Sequence, residues 1–281
     1  MPNHAVAPTL DHPPEIARMP GHWLLARLGK RVLRPGGLKL TCRMLDALAI
    51  GHGDRVLELA PGLGATARRV LALGPRSYTG VDRDADVARR LAKLLEGTPH
   101  RVRLGQAHET GLADASCDVV LGEAMLSMNP LAIKRQIVAE AYRVLAPGGR
   151  YAIHELSLVP DDLAEAQAHA IARALSGAIH IGASPLTVHD WRALLEAQGF
   201  EVEHVLQAPM HLLEAGRLLK DEGLGGSVRF GWNLMRDRAA RERVLEMRDV
   251  FRRHAANLGA IALVARKPVL PEAGATRAAA E

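Results

Sequence analysis

Residues 56–66 read Val-Leu-Glu-Leu-Ala-Pro-Gly-Leu-Gly-Ala-Thr, and no other stretch of the chain limits the fold as much. Arg55 to Leu59 is a compact strand-like run, Pro61 to Gly64 a turn, and Ala65 to Leu73 a helical pattern. Gly62 and Gly64 let the backbone turn tightly and approach a ligand with no Cβ in the way. The helix that follows offers unpaired N–H groups at its start. In open parallel sheets ligands sit beyond the carboxyl ends of the strands, which is where this turn falls.

The residues that follow keep alternating. Strands are expected at Tyr78–Val81, Arg101–Leu104, Asp118–Leu121 and Arg150–Leu156, with helices at Asp84–Leu95 and about Asn129–Leu145 between them. Further helices are expected at about 161–176 and 187–198, a sixth strand at Phe200–Gln207 and a seventh at Ala260–Arg266. This alternation predicts an α/β fold, a doubly wound, mostly parallel sheet of seven strands. Two helices are expected before it, Trp23–Leu33 and about Leu38–Leu48, separated by Arg34-Pro35-Gly36-Gly37. Between Gln207 and Leu258 lie about fifty residues of helical, Arg-rich sequence, read as an insertion over the site end of the sheet before the last strand.

Bulk properties narrow the function classes. With 281 residues the chain can bury a core without staples. Its two cysteines, Cys42 and Cys117, support neither a disulfide framework nor a cysteine zinc site, and a reduced, cytoplasmic setting is expected. No secretory leader is expected in the first twenty residues. No metal is expected either, because the histidines lack ligand spacing and no His-Glu-x-x-His occurs. The net charge of +5 is uneven: residues 16–44 hold seven Lys or Arg and no acid, and residues 227–253 eight Arg against four acids. Such segments could meet an anionic substrate, a membrane surface or nucleic acid, or form solvated helix faces. Aromatics are only 3% and do not interleave with the arginines, so nucleic acid is not expected as a partner.

Asp82 closes the second strand, eighteen residues after Gly64. An acid there can accept both hydroxyls of a ribose, or cap the next helix; with Asp84 available as the cap, ribose binding is the expectation. Gly62-Leu63-Gly64-Ala65-Thr66-Ala67 also fits the dinucleotide pattern G-x-G-x-x-A, which keeps an NAD(P)-dependent oxidoreductase as an alternative. Glu58 argues against it, because an acid in the approach to the turn suits an ammonium and repels a pyrophosphate.

Together these residues resemble the class I S-adenosylmethionine-dependent methyltransferases, in the small-molecule branch that includes the ubiquinone/menaquinone C-methyltransferases. Glu58 to Gly64 is similar to that family's first motif, with Ala60 in place of the commonest first glycine. Gly80-Val81-Asp82 is similar to its second, and Ala146-Pro147-Gly148-Gly149 to its Pro-Gly-Gly turn. Arg34 to Gly37 is similar to a loop that folds over the cofactor, and also reads as a plain helix-breaking turn. The resemblance implies S-adenosylmethionine as cofactor, with Glu58 toward the methionine ammonium and Ala60, Gly62 and Gly64 lining methionine and ribose. It further implies Asp82 on the ribose, Arg83 beside the adenine, and Gln106 and Ala107 at the adenine amino group. Gln106 replaces the family's usual acid, though its amide oxygen can still accept.

On this reading residues 21–50 form a helical cap, 51–160 the cofactor-binding core and 161–257 the acceptor side with the insertion, between flexible ends at 1–20 and 268–281. Glu123, at the end of the fourth strand, is the best placed acid: it could orient an acceptor, take a proton, cap a helix or touch the cofactor. His154, at the end of the fifth, could act as a base or be a satisfied structural histidine. Phe230, Trp232, Leu234 and Met235 are candidate pocket walls or the insertion's own core. The acceptor is expected to be a small molecule, apolar or anionic. Peripheral membrane contact and a homodimer stay open, as does a non-catalytic nucleic-acid-binding role.

Overall fold

The computed structural model describes residues 16–269; the two flexible ends expected at 1–20 and 268–281 fall largely outside these residues. Eight strands form one sheet: β1 (Arg55–Leu59), β2 (Ser77–Asp82), β3 (Arg101–Leu104), β4 (Cys117–Glu123), β5 (Leu145–Leu158), β6 (Leu186–Thr187), β7 (Glu201–Pro209) and β8 (Leu258–Arg266). Their order is β3-β2-β1-β4-β5-β8-β7, with β6 pairing β5 outside that path. All pairings are parallel except those of β8, which runs antiparallel to β5 and β7. The seven strands expected are these without β6, a two-residue bridge too short to show a period in the sequence.

Nine α-helices accompany the sheet among the described residues: α1 (Gly21–Arg27), α2 (Gly37–Leu48), α3 (Ala65–Ala72), α4 (Ala85–Leu95), α5 (Leu131–Val144), α6 (Glu165–Ile179), α7 (Val188–Glu196), α8 (Ala215–Arg236) and α9 (Arg238–Arg253). α1 ends six residues before the expected Leu33. Gly29, at φ 101°, closes it: its N–H donates to Ala26 O and that of Lys30 to Leu25 O, two carbonyls a longer helix would have used. β5 begins earlier than expected, since Leu145 already pairs with Cys117; the Pro-Gly-Gly turn becomes an irregularity inside the strand, with a register shift between Cys117 and Val119. The insertion is α8 and α9, and α8 is two helical pieces meeting at Gly223.

Strand residues alternate between two buried faces, as a period of two requires. Leu57, Leu59, Val120, Ile153 and Leu263 pack toward α5 and α7. Val56, Tyr78, Val119, Leu121 and Val264 pack toward α2, α3 and α4. A third apolar cluster joins α1, α6, α8 and α9 through Leu24, Leu28, Ala178, Phe230, Val244 and Met247. Phe230 is therefore core of the insertion, whereas Trp232 and Met235 are exposed. No helix among the described residues is long and apolar enough to cross a membrane.

Candidate active site

The parallel register brings the ends of four strands level. Leu59 of β1 stands beside Val81 of β2 and Gly122 of β4, and Glu123 beside His154 of β5. Three residues in the turns on these ends use left-handed backbone: Ala60 (φ 52°), Gly62 (φ 54°) and Ala124 (φ 52°). Ala60 N–H donates to Val81 O at 2.8 Å, which ties the glycine turn to β2.

Glu58 is buried and takes one hydrogen bond from Tyr78 Oη, at 2.6 Å. Burial pushes its carboxyl up to about 7, against the opposing pull of the Tyr78 bond and the Arg34 guanidinium. Asp82 is nearly buried and accepts from two backbone N–H groups, Gly62 at 3.2 Å and Asp84 at 3.0 Å. Burial raises its pKa as well, and those two donors oppose the rise. Asp84 caps α4, accepting from Asp86 N and Val87 N.

Whether this cradle fits an adenosyl group with an amino-acid tail is tested by the space above it. A Cβ on Gly62 would meet nothing closer than Ala60 O at 4.0 Å, so the turn opens onto room for a ligand. Around that opening stand an acid for an ammonium and an acid for a diol, and among the described residues neither is neutralised by a side-chain ion pair. Arg83, Gln106 and Leu104 are exposed along the next edge, with Leu104 in register with Asp82 and 64% exposed. Ala107 is half-buried against the core. The donor set fits the group.

A second set of polar side chains gathers at β4 and β5. The Glu123 carboxylate accepts from the Arg34 guanidinium, the Thr66 hydroxyl and, at 2.6 Å, the Thr41 hydroxyl. His154 Nδ1 lies 2.7 Å from Glu123 Oε1, and its Nε2 donates to Pro35 O at 2.6 Å. His154 is fully buried. Burial first, then the Arg34 charge, hold its pKa down at about 3. With Nε2 committed as a donor to Pro35 O and Nδ1 against Glu123 Oε1, both ring nitrogens are engaged. Glu155 faces the other way, accepting from the N–H groups of Met125, Leu126 and Ser127 and from the Ser127 hydroxyl, and so fixes the loop after β4.

The residues between α1 and α2 strap this cluster down. Arg34 is buried, and burial lowers its pKa to about 10, so it stays cationic at neutral pH. The strap is fastened to α8: Glu222 Oε1 accepts from Arg31 N at 2.7 Å and Val32 N at 2.8 Å, and Asp221 Oδ1 from Leu38 N at 3.0 Å. Lys30 Nζ is buried 4.0 Å from Glu222 Oε1. Arg34 and Pro35 were visible in the sequence only as a loop. Thr41, Thr66, Asp221 and Glu222 carried no signal, because their partners lie between 32 and 191 residues away.

Comparison with known proteins agrees with this geometry. The methyltransferase domain family matches residues 57–153. An uncharacterized protein of Haemophilus influenzae is 32% identical over 220 residues, 77% of this chain and 86% of its own length. An arsenite methyltransferase of Halobacterium salinarum is 30% identical over 165 residues, 56% of this chain and 40% of that protein. Among solved structures, phosphoethanolamine N-methyltransferase 2 of Haemonchus contortus, with phosphomonomethylethanolamine and S-adenosylhomocysteine, shares the fold at a TM-score of 0.67 and 17% identity, over 89% of this chain and 58% of that one. The chain belongs to the class I S-adenosylmethionine-dependent methyltransferases, enzymes with this Rossmann-like sheet and that cofactor.

Proposed function

We propose that this enzyme methylates a small molecule held between the ends of β4 and β5 and the strap that precedes α2, within the branch similar to the ubiquinone/menaquinone C-methyltransferases. The observation that carries the reading is the convergence of Arg34, Thr41, Thr66 and His154 on the Glu123 carboxylate, one strand away from the glycine turn. When bound, the cofactor supplies an electrophilic methyl group on a sulfonium. Every other role falls to the chain itself.

Glu58 takes the ammonium of the methionine portion, the turn at Ala60, Gly62 and Gly64 lies along it, and Asp82 grips the ribose. Arg83, Gln106 and Ala107 border the adenine. Arg34, a buried cation against Thr66 of α3, would hold the methionine carboxylate. Glu123 would then orient the acceptor and accept its proton where the chemistry releases one. His154 acts through Glu123 as a positioning residue, because both its nitrogens are engaged. The strap excludes water, and alignment alone supplies several kcal/mol of the barrier reduction.

Asp82→Ala tests the cofactor half. It is expected to weaken S-adenosylmethionine binding at least about tenfold, roughly 1.4 kcal/mol, by calorimetry. Unchanged affinity in a folded variant removes the ribose role. Glu123→Gln tests the acceptor half once a mass-spectrometric search has found a co-purified acceptor. Turnover should fall at least about a hundredfold; unchanged turnover removes Glu123 from the chemistry.

A further inference from the structure

α8 changes character at Gly223, where its two pieces meet at φ 71° and ψ 177°. The first piece carries Asp221 and Glu222 and fastens the strap. In the second, Phe230 turns inward at 6% exposure and Asn233 Nδ2 donates to Leu28 O at 3.1 Å. The opposite face holds Leu224 (73% exposed), Val228 (63%), Trp232 (52%) and Met235 (64%). Their spacing of four, four and three residues makes one continuous apolar stripe. The chain has only nine aromatic residues, three of them Trp, so one placed in solvent is a conspicuous use of a scarce type.

The stripe's surroundings are basic. Arg229 and Arg236 are exposed on the same half-helix, and the Arg236 guanidinium lies 4.8 Å from the Trp232 ring centroid. Arg31, across the strap, keeps 63% of its side chain in solvent. The nearby acids are already engaged: Glu222 is buried under Arg31 and the strap, and Asp237 caps α9 beside Arg27. We infer that this face of α8 docks on an anionic lipid bilayer, with Leu224, Val228, Trp232 and Met235 entering the headgroup boundary and the flanking arginines meeting lipid phosphates. An apolar stripe with Trp and a basic rim is the composition that favours an interfacial helix. A second copy of the chain fits less well, because symmetric pairing on this stripe sets the same arginine rim against itself. It also offers four side chains where each partner of a stable complex buries about 800 Å².

The test is co-sedimentation of the full-length protein with large unilamellar vesicles, either of phosphatidylcholine alone or with about a third phosphatidylglycerol, the anionic fraction that the charge argument needs. The protein should bind the anionic vesicles, lose most of that binding in half-molar salt, and ignore the neutral ones. V228E/W232E should cut the bound fraction at least about fivefold, with melting temperature and S-adenosylmethionine affinity unchanged. R229E/R236E, which leaves the stripe intact, should also weaken binding. No binding of the wild-type protein to anionic vesicles overturns the inference. So does a wild-type dimer in analytical ultracentrifugation that V228E/W232E converts to monomer, since the stripe is then a subunit contact. Neither result touches the methyltransferase reading, which the cofactor titration reports separately.

Discussion

The ends of β1 and β2 and the ends of β4 and β5 both present buried acids, but they hold them differently. Glu58 and Asp82 are held by Tyr78 and by the backbone N–H groups of Gly62 and Asp84, all within about two dozen residues of one another. Glu123 is held by side chains from α2, α3, β5 and the strap, and the strap in turn by α8. The first site exists as soon as two strands pair. The second exists only while the cap sits down. A methyltransferase gains from this division: the cofactor's ribose and ammonium meet a preformed cradle, and the acceptor's chamber can open and close beside it.

The sharpest way to break the comparison is to cut the strap from α8. Glu222→Ala removes the acceptor of two backbone N–H groups and leaves the buried Lys30 ammonium with less compensation. Burial already lowers the Lys30 pKa, which softens the penalty because the amine can shed its proton. A loss of about 3 kcal/mol is expected, at the low end for breaking a buried pair. Limited proteolysis should then cleave within 28–38. S-adenosylmethionine should still bind Asp82 and the glycine turn. If cleavage within 28–38 stays at its wild-type rate, the strap does not depend on α8.

That same division explains what the sequence made legible. The glycine turn, Asp82 and Asp84 are contiguous motifs whose chemistry follows from spacing, so they could be read one residue at a time. Glu123 and His154 could be found as acids and bases at strand ends, but not as partners, since the register of β4 on β5 is a tertiary fact. Thr41 and Glu222 were silent: a threonine on a helix and a glutamate in an Arg-rich insertion look like solvated residues until the chain closes. The early end of α1 was misread because its apolar spacing continues past Gly29, while the backbone there turns left-handed.

Glu58→Gln sharpens the contrast by separating stability from binding. Glu58's pKa is raised in the folded state to about 7, so its contribution to stability is fully present below the unfolded carboxyl value near 4.5 and is lost as pH rises through 7. At pH 8 the variant, with no charge to bury, should be more stable than wild type by on the order of 2 kcal/mol, after a deduction for an unpaired amide N–H. By pH 5 that advantage should be gone. Cofactor affinity should fall at pH 8, because the amide cannot pair an ammonium, and should differ little from wild type at pH 5, where the wild-type acid is itself protonated. A melting temperature that does not rise at pH 8 would place the charge elsewhere.

The smallest effect isolates the one side chain that serves Glu58. Tyr78→Phe keeps the buried ring and deletes the 2.6 Å hydrogen bond to Glu58 Oε2. That bond stabilises the carboxylate, so its loss raises the Glu58 pKa further, by about one unit if the bond contributes its ordinary 1.5 kcal/mol. Binding an ammonium needs the ionised acid. The wild-type affinity for S-adenosylmethionine should therefore weaken as pH falls below about 7. In Tyr78→Phe the same weakening should begin about one unit higher, and at pH 6.5 the variant should bind several-fold less tightly than wild type. As pH rises through both transitions the two proteins should converge, while deprotonation of the ligand's own ammonium near 8 weakens both alike. Parallel curves offset equally at every pH would mean that Tyr78 acts by packing alone, and that Glu58 does not titrate against the cofactor.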